Sequence, residues 1–310
     1  MKKNVMMLGG GGYLGSVMVQ HLSGKLEQVD KLVVVDCDMF GDISSMPSSV
    51  VLDSTDVLLN PRVALQDGFT VVWAIDIDSE DFYRMPMSRE YIKDNIKAFK
   101  LVAKEKMGSL ILISDDYYGD NKDYKAFLDE KMEICEAHSC KLVKVPQLFG
   151  PSARMRYDTI LNEMFMAAFV GGIIHVEDWL RRYPVCSVAI AGEYIVDNVI
   201  LKDGKEYKRY LRNCMLSLCD YAGIMMKVFD GKAQLSLSGD KLAIYDYNEE
   251  SVEVLPFERY TIHKSFEYMI NSLEKDGIKD MVRDCHNNSK MLSNVHSYGN
   301  LIKAIGKYGE

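Results

Sequence analysis

The chain has 310 residues, of which 48% are apolar and 26% are charged, a composition typical of a globular protein. Its 45 acidic and 37 basic side chains give a formal net charge of -8, so we expect no nucleic-acid partner held by a basic face. The longest apolar stretch, residues 164–174, is shorter than the roughly 20 residues of a membrane span, so we expect no membrane anchor.

The cysteines and the first residues of the chain indicate the cellular compartment of the protein. Seven cysteines form an odd set without Cys-x-x-Cys or histidine-paired spacing, so neither a disulfide framework nor a metal site is predicted. Only four apolar residues, 5–8, separate the basic start from the first glycines, too few for the core of a secretory signal. We therefore expect a cytoplasmic protein with reduced thiols.

In the first half, short apolar runs alternate with stretches of helical period. Strands apolar on both faces and separated by amphipathic helices are typical of a parallel sheet covered by helices, so the pattern predicts a doubly wound α/β fold. The predicted strands are 4–8, 31–36, 50–52, 70–74, 109–114 and 141–145. One predicted helix begins at residue 13, and two others cover residues 89–106 and 123–137.

The alternation loosens after the turn at Gly150-Pro151, so we predict a domain of residues 1–150 and a smaller part of residues 151–310. In that second part the pattern predicts three elements, while the polar residues 275–310 carry no clear pattern. The elements are a helix over 158–169, a hairpin over 233–246 and a helix over 261–274.

A glycine-rich loop follows the first strand and opens the first helix. Gly9, Gly12 and Gly15 lie three residues apart, with Tyr13 and Leu14 between the last two. Glycines at these positions allow a tight turn, a close approach of the backbone to a pyrophosphate, and packing of the helix against the sheet. The helix amino terminus then offers its amides to the anion, so the loop predicts a Rossmann-type dinucleotide site.

The second predicted strand ends at Asp36, 21 residues after Gly15. A carboxylate at this place accepts hydrogen bonds from the two hydroxyls of an adenosine ribose. Asp36 and Asp38 would repel a 2′-phosphate, and no arginine lies nearby in the sequence to receive one. The sequence therefore favours NAD over its phosphorylated form.

The Gly-x-x-Gly-x-x-Gly spacing resembles that of the extended short-chain dehydrogenase/reductase family, which includes nucleotide-sugar epimerases and dehydratases. Further segments match the family in order over about residues 1–190. The matches imply that Asp53 and Ser54 lie beside the adenine, that Asn95 is the active-site asparagine, that Ser114 is the catalytic hydroxyl, and that Gln147 and Arg182 contact the substrate.

The resemblance also implies a catalytic tyrosine whose phenol pKa, ordinarily about 10, is lowered by a lysine four residues later. Three registers compete in this chain. Lys131 would pair with Phe127, Lys125 with Asn121, and Lys122 with Tyr118, and only the last keeps the tyrosine.

Other residues could supply the proton chemistry. Tyr117 and Tyr124 are alternative bases near the same segment. Ser114 is followed by Asp115 and Asp116, and a hydroxyl followed by two acids resembles the arrangement in sugar-nucleotide 4,6-dehydratases. Two adjacent carboxylates can act as acid and base when one raises the pKa of the other.

Together the residues and the resemblance imply an NAD-dependent epimerase, dehydratase or reductase acting on a nucleotide sugar. The family resemblance also implies a homodimer through the helices that carry the asparagine and the lysine. The alternative is a non-catalytic dinucleotide-binding protein that has kept the fold and lost the tyrosine–lysine pair.

Overall fold

A computed structural model of the chain describes residues 2–36, 47, 50–75, 88–115, 122–177, 179–202, 208–212, 214–238, 252–255 and 259–276. Among the residues singled out above, Asp38, Asp116, Tyr117, Tyr118 and Asn121 lie outside these ranges.

Thirteen strands and seven α-helices lie in the described part of the chain. The strands are β1 (Lys3–Leu8), β2 (Val29–Val35), β3 (Val50–Asp53), β4 (Phe69–Trp73), β5 (Leu110–Asp115), β6 (Lys141–Val145), β7 (Gln147–Phe149), β8 (Ile173–Glu177), β9 (Arg182–Ser187), β10 (Lys208–Arg212), β11 (Cys214–Ser217), β12 (Gln234–Ser238) and β13 (Val252–Val254). The helices are α1 (Tyr13–Ser23), α2 (Ser88–Glu105), α3 (Lys122–Ala137), α4 (Ile160–Met166), α5 (Val188–Ile195), α6 (Leu218–Val228) and α7 (Arg259–Asp276).

Eight strands form one sheet in the order β13-β10-β6-β5-β4-β1-β2-β3, and every neighbouring pair is parallel. The six strands and three helices predicted for the first half are present, with ends within about two residues of the prediction. The predicted doubly wound α/β fold is therefore confirmed.

Burial on both faces of the sheet explains why this half could be predicted. In β1, Val5 and Met7 pack into a core that includes α1 and α5, whereas Met6 and Leu8 pack into a second core that includes α2 and α3. None of these four side chains has exposed surface. A strand without a polar face has to lie between two helical layers, as parallel strands do.

The chain beyond residue 150 also contributes to this sheet. β10 pairs with β6 and β13 pairs with β10, while α5 packs against α1. The contact between the two helices is close, because a Cβ on Gly192 would lie 2.7 Å from a methyl carbon of Val17. The two parts predicted from the sequence thus share one sheet, and the boundary at residue 150 stays a prediction.

A third apolar core lies in the second part of the chain, where α4, α6 and α7 pack beside two small sheets. One sheet has the order β11-β9-β7, and in the other β12 pairs in parallel with β8. Among the described residues the partner of β12 is β8, and the hairpin predicted over 233–246 stays a prediction because its second arm lies outside those residues. The predicted helix over 158–169 is α4, continued by a π-helical turn over Ala167–Gly171.

No helix within the described ranges is both long enough and apolar enough to cross a membrane.

Replacement of Phe165 by alanine tests the third core. The Phe165 ring has no exposed surface and stacks on Phe266 at 5.3 Å between centroids. The loss of its buried area and the cavity left behind should lower the free energy of unfolding by about 3–5 kcal/mol. Urea unfolding followed by circular dichroism measures this change. The control is Val170→Ala, a side chain that is 61% exposed, and an equal loss in both variants would contradict this account of the core.

Candidate functional site

The candidate site lies at the carboxyl ends of the central strands. β1 has β2 on one side and β4 on the other, so the order of strands along the chain reverses between β1 and β4. In open parallel sheets a ligand crevice forms at this reversal, beyond the carboxyl ends of the strands. The glycine loop, Asp36, Asp53 and Ser114 all lie at this edge, as the sequence predicts.

Close backbone contacts require two glycines of the loop. Gly9 has φ +80°, and a Cβ there would lie 2.4 Å from the carbonyl oxygen of Ala74. A Cβ on Gly15 would lie 2.2 Å from the carbonyl oxygen of Gly9. Both distances are well below van der Waals contact, so the fold itself needs glycine at positions 9 and 15.

Gly12 is under much weaker constraint. Its φ is -73°, which any residue can adopt, and among the described residues an added Cβ would meet only the carbonyl oxygen of Gly9, at 3.2 Å. Gly12 is the N-cap of α1, which begins without a side-chain cap and without an acidic residue in its first turn. The amides at this helix end are therefore suited to an anion from outside the chain.

Asp36 lies beside the glycine loop. Its carboxylate accepts a hydrogen bond from the amide of Gly11 at 2.7 Å, and its own amide donates to the carbonyl of Asp53 at 3.1 Å. The Asp53 carboxylate in turn accepts from the amide of Thr55 at 3.0 Å, beside the exposed Ser54. The structure thus brings together the residues that were predicted to surround the adenosine.

Tyr13 and Leu14, both predicted to contact the cofactor, have buried side chains. The Tyr13 hydroxyl donates to the carbonyl of Gly150 at 2.5 Å and accepts from Nδ2 of Asn162 at 3.0 Å. Burial raises the pKa of Tyr13 well above its ordinary value. The phenol therefore stays protonated and ties α1 to Gly150 and to Asn162 in the second part of the chain.

Asn162 completes this connection and was not predicted. Its Oδ1 accepts from the amide of Gly150 at 3.1 Å, and its Nδ2 also donates to the carbonyl of Arg156 at 2.7 Å. Asn162 is fully buried in α4 among apolar neighbours. A lone amide on the apolar face of a helix is the one sequence signal that could have identified it.

Asn95 is at the predicted place and has no exposed surface. Its Nδ2 donates to the carbonyl of Ile75 at 3.1 Å and to the Tyr91 hydroxyl at 3.0 Å. The Ile75 carbonyl fixes the orientation of the amide, because a flip would set two acceptors against each other. Within the described part of the chain, Oδ1 of Asn95 has no hydrogen-bond partner. A buried acceptor of this kind calls for a ligand or a water.

Ser114 and Asp115 end β5 and are both buried. The Ser114 hydroxyl lies 3.4 Å from the carbonyl oxygen of Asp115, and the Tyr124 hydroxyl donates to the Asp115 carboxylate at 3.3 Å. Of the candidate bases in this segment that the structure describes, Tyr124 is the tyrosine in contact with the end of β5.

The three lysines of α3 lie in different surroundings. Lys122 is exposed at the first position of the helix, and Lys125 forms a surface ion pair. Lys131 is buried 5.1 Å from the ring centroid of Phe127, so that register brings a lysine and a phenylalanine together. The residue one turn after Tyr124 is Leu128, which is buried.

Gln147 and Arg182 lie on neighbouring strands of the small sheet. Gln147 begins β7, is half-buried and pairs with Val185 of β9. Arg182 begins β9, is exposed, and donates from its guanidinium to the carbonyl of Met215 at 2.9 Å. The structure brings these predicted substrate residues to one sheet.

The contribution of the Tyr13 hydroxyl can be measured with Tyr13→Phe. The variant leaves the Gly150 carbonyl and an Asn162 N–H buried without their present partner, so the free energy of unfolding should fall by about 1–3 kcal/mol. Chemical denaturation provides the measurement. Tyr268→Phe, at a position that is 61% exposed, serves as the control, and a stability of Tyr13→Phe equal to that control would show that the hydroxyl does not hold the two parts together.

Comparison with known proteins places this geometry among solved structures. No protein-family model and no curated protein sequence matches the chain. The solved structures similar to it include ADP-L-glycero-D-manno-heptose-6-epimerase from Helicobacter pylori, with a TM-score of 0.69, 13% identity, and 87% of this chain and 97% of that chain covered.

Two further solved structures have a similar fold. dTDP-glucose 4,6-dehydratase from Streptomyces venezuelae, solved with NAD bound, has a TM-score of 0.68 at 13% identity and covers 88% of this chain and 98% of its own. UDP-N-acetylglucosamine 4-epimerase from Bacillus cereus has a TM-score of 0.64 at 13% identity with the same coverage. The fold that the family resemblance implied is therefore confirmed, and this chain has the fold of nucleotide-sugar epimerases and dehydratases.

Proposed function

We propose that this protein binds NAD and acts on a nucleotide sugar by hydride transfer at a sugar carbon, as an epimerase, a dehydratase or a reductase. The observation that carries the proposal is Gly12. Gly9 and Gly15 are needed by the fold, but a side chain at position 12 would project over the uncapped amino terminus of α1. A glycine at this place is explained by the space that a pyrophosphate requires.

The residues around the loop fit the rest of such a cofactor. The amides at the start of α1 would hold the pyrophosphate, and Asp36 would accept hydrogen bonds from the adenosine ribose. Asp53 and Ser54 would lie beside the adenine. Asn95, with its buried acceptor, would contact a donor group of the nicotinamide half or a water that bridges to it.

NAD, when bound, supplies the acceptor for a hydride from a sugar carbon. The protein must then take the proton from the hydroxyl on that carbon. Ser114 would donate a hydrogen bond to the reacting oxygen. Tyr124 is the candidate base that lies against the end of β5, where its hydroxyl donates to Asp115, while the Tyr118–Lys122 pair, whose tyrosine lies outside the described residues, stays the alternative.

The remaining assignments follow from the same proposal. Asp115 and Asp116 would act as acid and base in an elimination of water, should the protein be a dehydratase. Gln147 and Arg182 would contact the nucleotide sugar from the small sheet, with Arg182 near its diphosphate. We further propose a cytoplasmic homodimer that associates through α2 and α3.

A second candidate function is non-catalytic binding of NAD. It is favoured by the surroundings of Tyr124, because the position that would carry the lysine holds the buried Leu128, and Lys122 is exposed. The family resemblance implies a lysine at that position to lower the pKa of the phenol, and Leu128 cannot take that role. Such a protein would sense the cofactor or support a complex.

Gly12→Ala separates a binding role from a structural one. The new methyl group should occupy the space over the start of α1 and weaken the binding of NAD at least about tenfold, while the midpoint of thermal unfolding without cofactor changes by about 2 °C or less. Titration calorimetry with cofactor-stripped protein measures the affinity. Gly223→Ala, in a helix with open space around it, provides the matched control.

Either of two results would count against NAD binding at this loop. One is a wild-type protein with no affinity for any nicotinamide cofactor, and the other is equal affinity in the Gly12→Ala and Gly223→Ala variants.

Turnover of a panel of UDP-, dTDP- and GDP-sugars distinguishes the two candidate functions. If Tyr124 is the base, Tyr124→Phe should lower kcat by about 100-fold or more with little change in the affinity for NAD. Tyr268→Phe, which changes an exposed side chain of α7, should leave kcat unchanged. Unchanged turnover in Tyr124→Phe would transfer the role to Tyr118, and binding of NAD without any turnover would favour the non-catalytic function.

A further inference from the structure

The carboxyl end of α3 forms a tight helix cap. The amide of Cys140 donates to the carbonyl of Cys135 at 2.9 Å, and the amide of Ser139 donates to the carbonyl of Glu136 at 3.2 Å. Ser139 has φ +52°, the left-handed conformation that this cap requires. These two hydrogen bonds and the left-handed residue define a Schellman motif.

This cap places two cysteine side chains together. A Schellman motif brings the third residue from the helix end against the residue that directly follows the left-handed position, and here these residues are Cys135 and Cys140. Apolar side chains usually make this contact, whereas in this chain both are thiols. Their backbones are already joined by the 2.9 Å hydrogen bond, so closing a disulfide needs little backbone movement.

The two thiols differ in exposure and acidity. Cys135 is buried, whereas Cys140 is half-buried and within reach of a small reagent. The adjacent Cys135 thiol lowers the pKa of Cys140, and the adjacent Cys140 thiol together with burial raises the pKa of Cys135. Cys140 is therefore suited to attack an oxidant as a thiolate, and Cys135 is suited to resolve the product.

Two of the three other described thiols, Cys186 and Cys214, lack this combination. Burial raises the pKa of Cys186 well above the ordinary range and raises the pKa of Cys214 to about 11. Both side chains are therefore poor nucleophiles at neutral pH. They provide an internal comparison for the reactivity of Cys140.

We propose that Cys135 and Cys140 form a reversible oxidation site, at which a hydroperoxide converts the two thiols of the α3 cap into a disulfide. The Cys140 sulfur attacks the peroxide, the O–O bond breaks, and the leaving oxygen departs as water or an alcohol after taking up a proton. The resulting sulfenic acid is attacked by the Cys135 sulfur, the S–O bond breaks, and hydroxide leaves with the Cys135 proton as water. The two thiols lose two electrons in total to the peroxide, and a dithiol reductant reverses the change.

The test uses the full-length protein, reduced and then freed of reductant, with hydrogen peroxide as the oxidant and without NAD or substrate. We expect the intact mass to fall by two hydrogen atoms, peptide mapping to join Cys135 to Cys140, and dithiothreitol to restore the original mass. Before oxidation, Cys140 should react with iodoacetamide at least about tenfold faster than Cys214.

Single variants separate the two roles. Cys135→Ser should stop at a sulfenic acid on Cys140 that dimedone traps, Cys140→Ser should leave Cys135 unmodified, and Cys214→Ser should still form the disulfide. Peroxide treatment that leaves both thiols free, or that joins a different pair, would overturn the proposal. These readouts do not depend on the NAD site, so they stand or fall separately from the proposed function.

Discussion

The close approach of three backbone segments at the end of β1 is the constraint on which the site depends. Gly15 lies against the carbonyl of Gly9, and Gly9 lies against the carbonyl of Ala74, at distances that exclude any side chain. These contacts hold the start of α1 close to the carboxyl ends of β1 and β4, where the order of strands along the chain reverses. The helix end, the Asp36 carboxylate and the end of β4 can then face one ligand, which is the geometry that a dinucleotide site needs.

A second buried connection fixes that helix from the other side. Tyr13 and Asn162 join the first turn of α1 to Gly150, and Ser152 adds a hydrogen bond to the carbonyl of Tyr13 at 2.7 Å. Buried polar groups that satisfy one another are costly to separate, so this connection resists relative motion of the two parts. The glycine loop is therefore held in place by the sheet on one side and by the segment leading to α4 on the other.

The sequence predicted the first half of the fold well because its strands are apolar on both faces and its glycine spacing has a direct steric meaning. The connection between Tyr13 and Asn162 could not be predicted, since no periodic pattern relates residues so far apart. The α6 cap was overlooked although its signal is present, with Ser217 followed three residues later by Asp220, and the two side chains form a capping box. Periodicity locates single elements, whereas polar pairs across the fold need coordinates.

The candidate base shows the same limit. Spacing left three registers open, of which only Lys122 with Tyr118 kept a tyrosine. The structure places Lys122 on the surface and Tyr124 against Asp115, whereas Tyr118 lies outside the described residues. Distance along the chain predicts which residues of a helix lie one turn apart. It does not predict which side of that helix faces the sheet. Asn95 was singled out by the family resemblance, and the structure buries it among the inward-facing residues of α2.

The position of β6 has a consequence for how the chain can be divided. β6 is an inner strand only because β10, which comes more than 60 residues later, pairs with its outer side. A fragment that ended near residue 150 would leave a row of unsatisfied amides and carbonyls along β6, and α1 would lose the apolar cover of α5. The first half of the chain thus depends on a later strand to complete its sheet, and its cooperativity with the remainder is built into the hydrogen bonding of that sheet.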